Sequence, residues 1–593
     1  MKKRRLIAEL VALALLIVLP SAYPAQAQTP DAGVELPKVA LIGDSIRLGY
    51  APLVAKRLAG RARIISPAAN GGDSSNVLRN LDEWVIGEKP VLVHFNCGLH
   101  DLKLGKASGQ HQVPLDQYEV NLRRIVERLR RETSASIVFA STTPILDDRH
   151  AKRGAEFDRF EADVKRYNDA AFAVMKRAGV VAHDLHWVVE QGGAEQLLDK
   201  DGTHYTPAGY ERLAEAVADC ILRQLNVLRY KPLPTPPSGA EAAEAYRNAE
   251  VERDALVPPN YRINVPEFRA PSSEGEWRSR RPEVLRIVRE SLGDLPSRPS
   301  PQRVRRITRE IRDGYLLEKI AIDNGIDGEI SALLLIPERL QGPAPAVLWL
   351  HSSTPDKTQI ITPNTNGGAE ALGETLVRKG YIVMSPDAYW HGDRAGSGPS
   401  GAAEPTRAEH ESLFKFHLWM GRTLWGLFVR DDQIALDYLL SRPEVDRRRI
   451  GATGMSMGST RAWWLAALDE RVAAVVGVAC LTRYENLIRH GELRQHGVYY
   501  FVNGLLRHFD SEGVVALIAP RPYLALTGEL DAGSPADGVR MIETKAGQVY
   551  SALGAPEKFK SVLYPETGHI YTSQMRAATL DWFDRWLKSS RDQ

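Results

Sequence analysis

The chain has 593 residues, several times the usual size of one domain, with 44% apolar and 25% charged residues. A single small module and a mostly disordered or collagen-like chain are both excluded. Formal charge is +2, but Lys2, Lys3, Arg4 and Arg5 stand against only Glu9 in the first nine residues, and the remainder carries about −1. A body so near neutrality gives no electrostatic reason to expect nucleic acid or an acidic membrane surface as partner, so a small or uncharged partner fits better.

The basic start leads into an apolar run from Leu10 to Leu19, then Pro20, then Ala25-Gln26-Ala27, a small-x-small cleavage pattern. Residues 1–27 therefore read as a signal peptide, and the mature protein as secreted or periplasmic. No stable membrane anchor is expected after cleavage, because a spanning helix needs about twenty apolar residues. Cys97, Cys220 and Cys480 are odd in number, far apart and without metal-ligand spacing. No disulfide and no zinc site are expected of them.

From residue 36 to 228, short apolar runs (Val39 to Ile42, Val91 to Phe95, Ile137 to Ala140, Val180 to His183) alternate with helical patterns such as Tyr118 to Arg131. Strands alternating with helices imply parallel strands joined by crossovers, hence a three-layer α/β/α domain. Residues 229–250 hold the proline-rich stretch Lys231 to Gly239, a linker. From 251 to 593 a helical segment around Arg281 to Leu292 precedes an alternating stretch, Val304 to Ile336, that suggests antiparallel hairpins. Strand and helix then alternate again, with runs at Ala346 to Leu350, Ile382 to Ser385, Val472 to Cys480 and Tyr523 to Thr527. The chain is thus α/β throughout, in two domains.

Two constellations carry chemistry. In the first, Val39 to Ile42 ends in Gly43-Asp44-Ser45, which puts a hydroxyl just past the carboxyl end of a strand, where ligands of open α/β sheets bind. A serine needs a base. Asp201-Gly202-Thr203-His204 supplies one, with a carboxylate three residues earlier to orient the ring. Thr206 and Pro207 read as the cap and first residue of a following helix. These motifs resemble the SGNH or GDSL hydrolase family, which implies a flavodoxin-like sheet with Ser45 as nucleophile. Gly72-Asp73-Ser74 is similar to the family's second block, whose glycine (Gly72) lends a donor to the oxyanion hole. The third block departs from the family pattern: Gly98-Leu99-His100-Asp101 has His100 where asparagine is usual, and a neutral imidazole can also donate there.

In the second constellation, Arg449 to Thr453 reads as a strand leading into Gly454-Met455-Ser456-Met457-Gly458, and a helix follows. Strand, turn and helix form the context of a nucleophile elbow, in which the glycines would tolerate the sharp turn. The backbone N–H of Met457 would form half of an oxyanion hole, and the loop after Val347 to His351, at Ser352 or Ser353, the other half. Asp531 follows the run Leu524 to Leu530, and His569 follows Val562 to Gly568. Glu529 and Asp537 compete with Asp531 for the acid role. This half resembles the α/β-hydrolase fold and its acetyl xylan esterase-like and dienelactone hydrolase-like branch, through Ser385-Pro386-Asp387, Gly392-Asp393-Arg394, Arg430-Asp431-Asp432-Gln433 and Pro443-Glu444-Val445-Asp446.

Trp419, Trp425, Trp463, Trp464 and Tyr389-Trp390 offer a carbohydrate platform or, more commonly, core packing. Arg278, Arg280 and Arg281 read as solvated or interface charges, as do Arg123-Arg124 and Arg447-Arg448-Arg449. No cofactor is expected. With the N-terminal signal pattern implying export, the resemblances imply a serine esterase with two sites, acting on esterified carbohydrate or small esters. A peptidase, a lipase (disfavoured for want of a long exposed apolar lid) and a non-catalytic glycan-binding first domain are the alternatives. The oligomeric state stays open.

Overall fold

In a computed structural model of the protein, residues 36–229, 261, 263–354, 356–363, 370–396, 398–399, 404 and 406–588 are described; the expected signal peptide and residues 230–250 of the expected linker lie outside them. The first module contributes seven strands: β1 (Lys38–Ile42), β2 (Arg63–Ile65), β3 (Leu92–Asn96), β4 (Leu104–Gly105), β5 (Ser136–Ala140), β6 (Phe157–Asp158) and β7 (Val181–His183). Five of them pair in parallel in the order β2-β1-β3-β5-β7, while β4 and β6 form a separate antiparallel ribbon. β1 and β3 are buried almost throughout, as strands covered on both faces of a sheet are. The helix Leu115–Glu132 shows how: Tyr118, Leu122, Ile125, Val126 and Leu129 recur at helical spacing and are buried. It ends where the Thr133 hydroxyl donates to Leu129 O at 2.6 Å.

The second module adds β8 (Val304–Arg312), β9 (Tyr315–Asp323), β10 (Glu329–Pro337), β11 (Ala344–Leu350), β12 (Ile382–Pro386), β13 (Val445–Met455), β14 (Ala474–Val478), β15 (Tyr523–Gly528) and β16 (Phe559–Tyr564). β8, β9 and β10 form the antiparallel meander that the alternating sequence implies, and β12-β11-β13-β14-β15-β16 run parallel. Each module has its own apolar core, the second packed on both faces of its sheet. Trp425, Trp463, Trp464, Tyr389 and Trp390 lie inside that core, so they form no carbohydrate platform; their bulk fills the space between helices Leu424–Ser441, Met457–Leu468 and the sheet. Trp419 alone of the set is open to solvent, at 89%.

The sequence does not announce the joint between the modules. β7 pairs with β8, through Ala182–Ile311 and His183–Glu310, so both sheets merge into one of fourteen strands. Several polar groups buried at this seam are paired across it. Glu310 accepts from Arg223 Nη2 at 2.7 Å and from Arg312 Nη2 at 2.7 Å, and His183 meets the Thr308 hydroxyl at 2.7 Å. Lys319 of β9 pairs with Asp219 of helix Pro207–Arg229. Pairing β7 with β8 also leaves neither strand as an open edge.

Candidate active sites

Ser45 begins helix Ser45–Arg57 directly after β1, and the Asp44 carboxylate caps that helix by accepting from Ile46 N at 2.9 Å. Across the cleft, the loop before helix Pro207–Arg229 carries His204. Ser45 Oγ lies 2.9 Å from His204 Nε2, and His204 Nδ1 donates to Asp201 Oδ2 at 2.6 Å. Asp201 also accepts from the backbone N–H groups of His204 (2.8 Å) and Thr203 (2.9 Å), which makes the acid and its loop one rigid unit. Partial burial opposes the Asp201 charge, but the His204 side chain and these two N–H donors hold its pKa down to about 2. Sequence positions 45, 201 and 204 therefore meet as hydroxyl, carboxylate and imidazole. Such a chain can pass the Ser45 proton to His204 while Asp201 stabilises the imidazolium.

The intermediate blocks are strapped to this chain. Gly71 N donates to Gly43 O at 2.9 Å, and a side chain at Gly71 would collide with that same carbonyl. Ser74 N donates to Asp101 Oδ1 at 2.9 Å and the Ser74 hydroxyl bonds the same carboxylate, tying the second block to the third. Gly72 sits at φ +63°, a conformation suited to glycine, and its N–H is turned onto Asn70 Oδ1 at 2.9 Å. His100 is pushed down to about 4, first by burial and then by the charges of Lys103 and Arg159, so its imidazole is neutral near pH 7. That leaves one ring N–H available as a donor.

In the second module β13 ends at Met455 and helix Met457–Leu468 begins at once. Ser456 between them has φ +57°. The left-handed strain of the elbow thus falls on the serine itself, not on the flanking glycines as the sequence reading had it. Gly454 and Gly458 are needed for close approach instead: a Cβ at either would overlap Leu350 O. The Met457 N–H opens the helix beside Ser456. Asp432 grips Arg461 of that helix at 2.6 Å, a buried pair that seats the elbow on helix Leu424–Ser441. His569 Nδ1 donates to Asp531 Oδ2 at 2.8 Å, and Gly533 N donates to the other oxygen at 3.0 Å. Asp537 is occupied by Asn486 and His490, and Glu529 by Arg540, so neither rival carboxylate holds His569. Burial opposes the His569 charge, but Asp531 outweighs it and raises the pKa above the ordinary histidine value.

Among the described residues no hydrogen bond joins Ser456 to His569. Ser456 Oγ instead faces Cys480 Sγ at 3.9 Å. Burial, followed by the nearby Asp531 charge, pushes the Cys480 thiol up to about 12. Catalytic hydrogen bonds are often long without substrate. Ser352 is placed differently from expectation: its N–H donates to Gln359 Oε1 at 3.1 Å and its hydroxyl to Met455 O at 3.0 Å. It therefore ties the loop after β11 to the elbow and does not offer its N–H to the cleft. Gln359 carries no motif and sequence reasoning passed it over, while Cys480 was read only as a free thiol and not as a neighbour of Ser456. One cluster, Glu161, His186 and Glu190, has the proximity of a metal site, but Lys165 lies 3.6 Å from Glu161 and 3.9 Å from Glu190 and already supplies a cation. At the end of helix Thr406–Trp419, Phe416, Leu418 and Trp419, with Met420 just beyond it, are exposed. The same helix packs on the Tyr499 segment through His410, with ring centres 5.4 Å apart. No helix among the described residues is long and apolar enough to cross a membrane.

Fold and side-chain placement together define a two-module α/β hydrolase. The chain belongs to the Abhydrolase family, whose model matches residues 264–568, and residues 41–212 match the GDSL-like Lipase/Acylhydrolase family. "Putative hydrolase YtaP" of Bacillus subtilis (strain 168) is 35% identical over 312 residues, 52% of this chain and 99% of that protein. The "Isoamyl acetate-hydrolyzing esterase 1 homolog" of Mus musculus is 28% identical over 195 residues, 30% of this chain and 78% of that protein. Among solved structures, a glucuronoyl esterase from Solibacter usitatus is similar at 18% identity and a TM-score of 0.43, over 56% of this chain and 99% of that one. The chain is a carboxylic ester hydrolase.

Proposed function

We propose that the protein is an exported esterase with two independent acyl-enzyme centres, at Ser45 and Ser456, that remove acetyl or similar ester groups from polysaccharides. The observation that carries this reading is the hydrogen-bonded chain from Ser45 Oγ through His204 to Asp201, repeated in outline by Asp531 and His569 beside the Ser456 elbow. In the first centre His204 Nε2 takes the Ser45 proton as Oγ attacks the ester carbonyl, then hands it to the departing alkoxide oxygen. The resulting acyl-Ser45 is released when His204 deprotonates a water. The backbone at Gly72 and the neutral His100 would receive the oxyanion, once the Gly72 N–H turns from Asn70. In the second centre, rotation of Ser456 Oγ from Cys480 toward His569 would start the same cycle, with Met457 N–H as an oxyanion donor.

Export rests on the sequence pattern up to Ala27, and sequencing the N-terminus of secreted protein tests it: a mature chain starting at Gln28 supports it, and retention of Met1 to Ala27 does not. Polysaccharide esters rest on the motif resemblances of both modules. The assay is hydrolysis of acetylated oligosaccharides and aryl esters by Ser45→Ala, Ser456→Ala and the double variant. Each single variant should keep part of the substrate range and the double variant none. A single variant that matches the parent on every substrate removes that centre from the proposal. The exposed Phe416, Leu418, Trp419 and Met420 favour a second reading for the Ser456 centre, hydrolysis of longer-chain acyl esters at an apolar surface. A rate that rises from acetate to octanoate esters would select it, and peptide-only turnover would defeat both.

A further inference from the structure

Beside His100, and close enough to Asp44 to act on it electrostatically, lies a cluster of positive charge. Arg159 follows the ribbon strand β6, is 5% exposed, and donates through Nε to Leu99 O at 2.8 Å, next to His100. Its guanidinium carbon stands 4.9 Å over the Phe157 ring, and Lys103 Nζ stands 4.8 Å from the same ring. Neither cation has a carboxylate within ion-pair distance among the described residues, and the two Nη groups of Arg159 hold no protein acceptor. Arg153 completes the cluster, 3.6 Å from Asp201 and so at the rim of the base's loop.

Asp201 answers Arg153, and Asp44 acts on Arg159 through space, but among the described residues no acid comes within ion-pair distance of Arg159 or Lys103. Asp44 caps Ile46 N, Asp73 caps Asn76 N and accepts from Gln112 at 2.6 Å, Asp201 serves His204, and Asp158 is paired with Lys106 at 3.2 Å. A nearly buried guanidinium with a free planar fork is the group best shaped to take a carboxylate in two parallel hydrogen bonds. A buried arginine held only by one carbonyl is otherwise expensive.

We propose that Arg159, flanked by Lys103 and Arg153, is a specificity-determining anion subsite, and that the Ser45 centre takes esters whose sugar also carries a carboxylate, such as acetylated uronic acid residues. The inference rests on reading Ser45 as a nucleophile, and deepens that reading by naming its substrate class. Among the described residues the Ser456 surroundings show no matching cluster: Arg461 is paired with Asp432, and Arg483 with Glu485 and Glu512.

The test uses full-length Ser456→Ala protein and two substrates acetylated at the same ring position, methyl glucuronoside and methyl glucoside. The uronate should be preferred by about ten- to a hundred-fold in kcat/KM, mainly through KM, as expected for charge-assisted hydrogen bonds made before the chemical step. Arg159→Gln should bring the ratio close to one. Arg159→Lys and Lys103→Met should leave intermediate ratios, and 0.5 M salt should lower the parent ratio. Lys103→Met covers the case in which Arg159→Gln fails to fold. Equal turnover of the two sugars by Ser456→Ala, or an undiminished ratio in both Arg159→Gln and Lys103→Met, overturns the subsite and leaves the Ser45 nucleophile standing. Turnover of neither sugar nor any aryl ester by Ser456→Ala overturns both.

Discussion

Replacing Glu310 by glutamine tests the seam between the modules. The carboxylate is fully buried, takes Arg223 on Oε1 (2.7 and 3.1 Å) and Arg312 on Oε2 (2.7 and 2.9 Å), and joins a helix of the first module to a strand of the second. Glutamine keeps the shape and one acceptor oxygen, but turns an NH2 group toward a guanidinium and removes the shared negative charge. Losing one partner of a buried ion pair costs about 3–5 kcal/mol. Asp219 beside Arg223 and Glu374 at 3.8 Å from Arg312 remain, which places the expected loss near the lower bound, about 3 kcal/mol. Burial works against the Glu310 charge, but Arg312 and then Arg223 overcome it and hold its pKa well below the ordinary glutamate value. A depressed folded pKa contributes stability above the unfolded value of about 4.3, so the gap between parent and variant should be complete at pH 7 and shrink below about pH 4. Urea unfolding followed by tryptophan fluorescence, with ester hydrolysis read at each centre in Ser45→Ala and Ser456→Ala backgrounds, gives the number. A loss under about 1 kcal/mol, the scale of a surface pair, would refute the reasoning. So would two activities in the parent that disappear at well-separated urea concentrations.

The other expectations concern the sites. In a Ser45→Ala background, Asp531→Asn should lower kcat for aryl acetate by about 10⁴-fold, whereas Asp537→Asn should change it by less than about tenfold, because only Asp531 bonds His569. Since Asp531 raises the His569 pKa, and the base must be neutral to act, the Ser456 centre should begin losing rate on acidification while still above pH 6.5; a pH–rate profile with its acid limb below 6.5 would contradict this. All three thiols are buried and raised in pKa, Cys480 to about 12, so iodoacetamide at pH 8 should label none in the folded protein and three after unfolding, counted by mass.

Much of this architecture is readable in the chain because its signals are local. Val39 to Ser45 and Arg449 to Gly458 each hold strand, turn and nucleophile within about ten residues, and a helix begins at or next to each serine. The acids and bases follow by order along the sheet. What stays hidden depends on contacts between distant segments. His183 and Thr308 lie 125 positions apart, and nothing in either stretch names the other as its strand neighbour. The tryptophans near the elbow could be read as a platform because sequence spacing does not say which face is covered. The Ser352 N–H is instead taken up by Gln359, a side chain from the short helix Lys357–Ile361 that no motif marks. Arg159 is likewise anonymous in sequence and becomes conspicuous only when its burial and open fork are seen together.

Three residues bearing a Cβ take left-handed backbone around the second hydroxyl: Ser456 (φ +57°), Ala479 (φ +60°) and Cys480 (φ +51°). Hydrogen bonds from Ser456 N to Val478 O (2.9 Å) and from Ala479 N to Leu526 O (2.7 Å) keep them there. Such conformations cost about 1 kcal/mol or more apiece. An engineer hunting for heat tolerance would find glycine at position 479 attractive, since it relieves the tension. Position 479 adjoins Val478, whose carbonyl holds Ser456 N, so a gain in hardiness there is set against the firmness of the seat under the attacking oxygen.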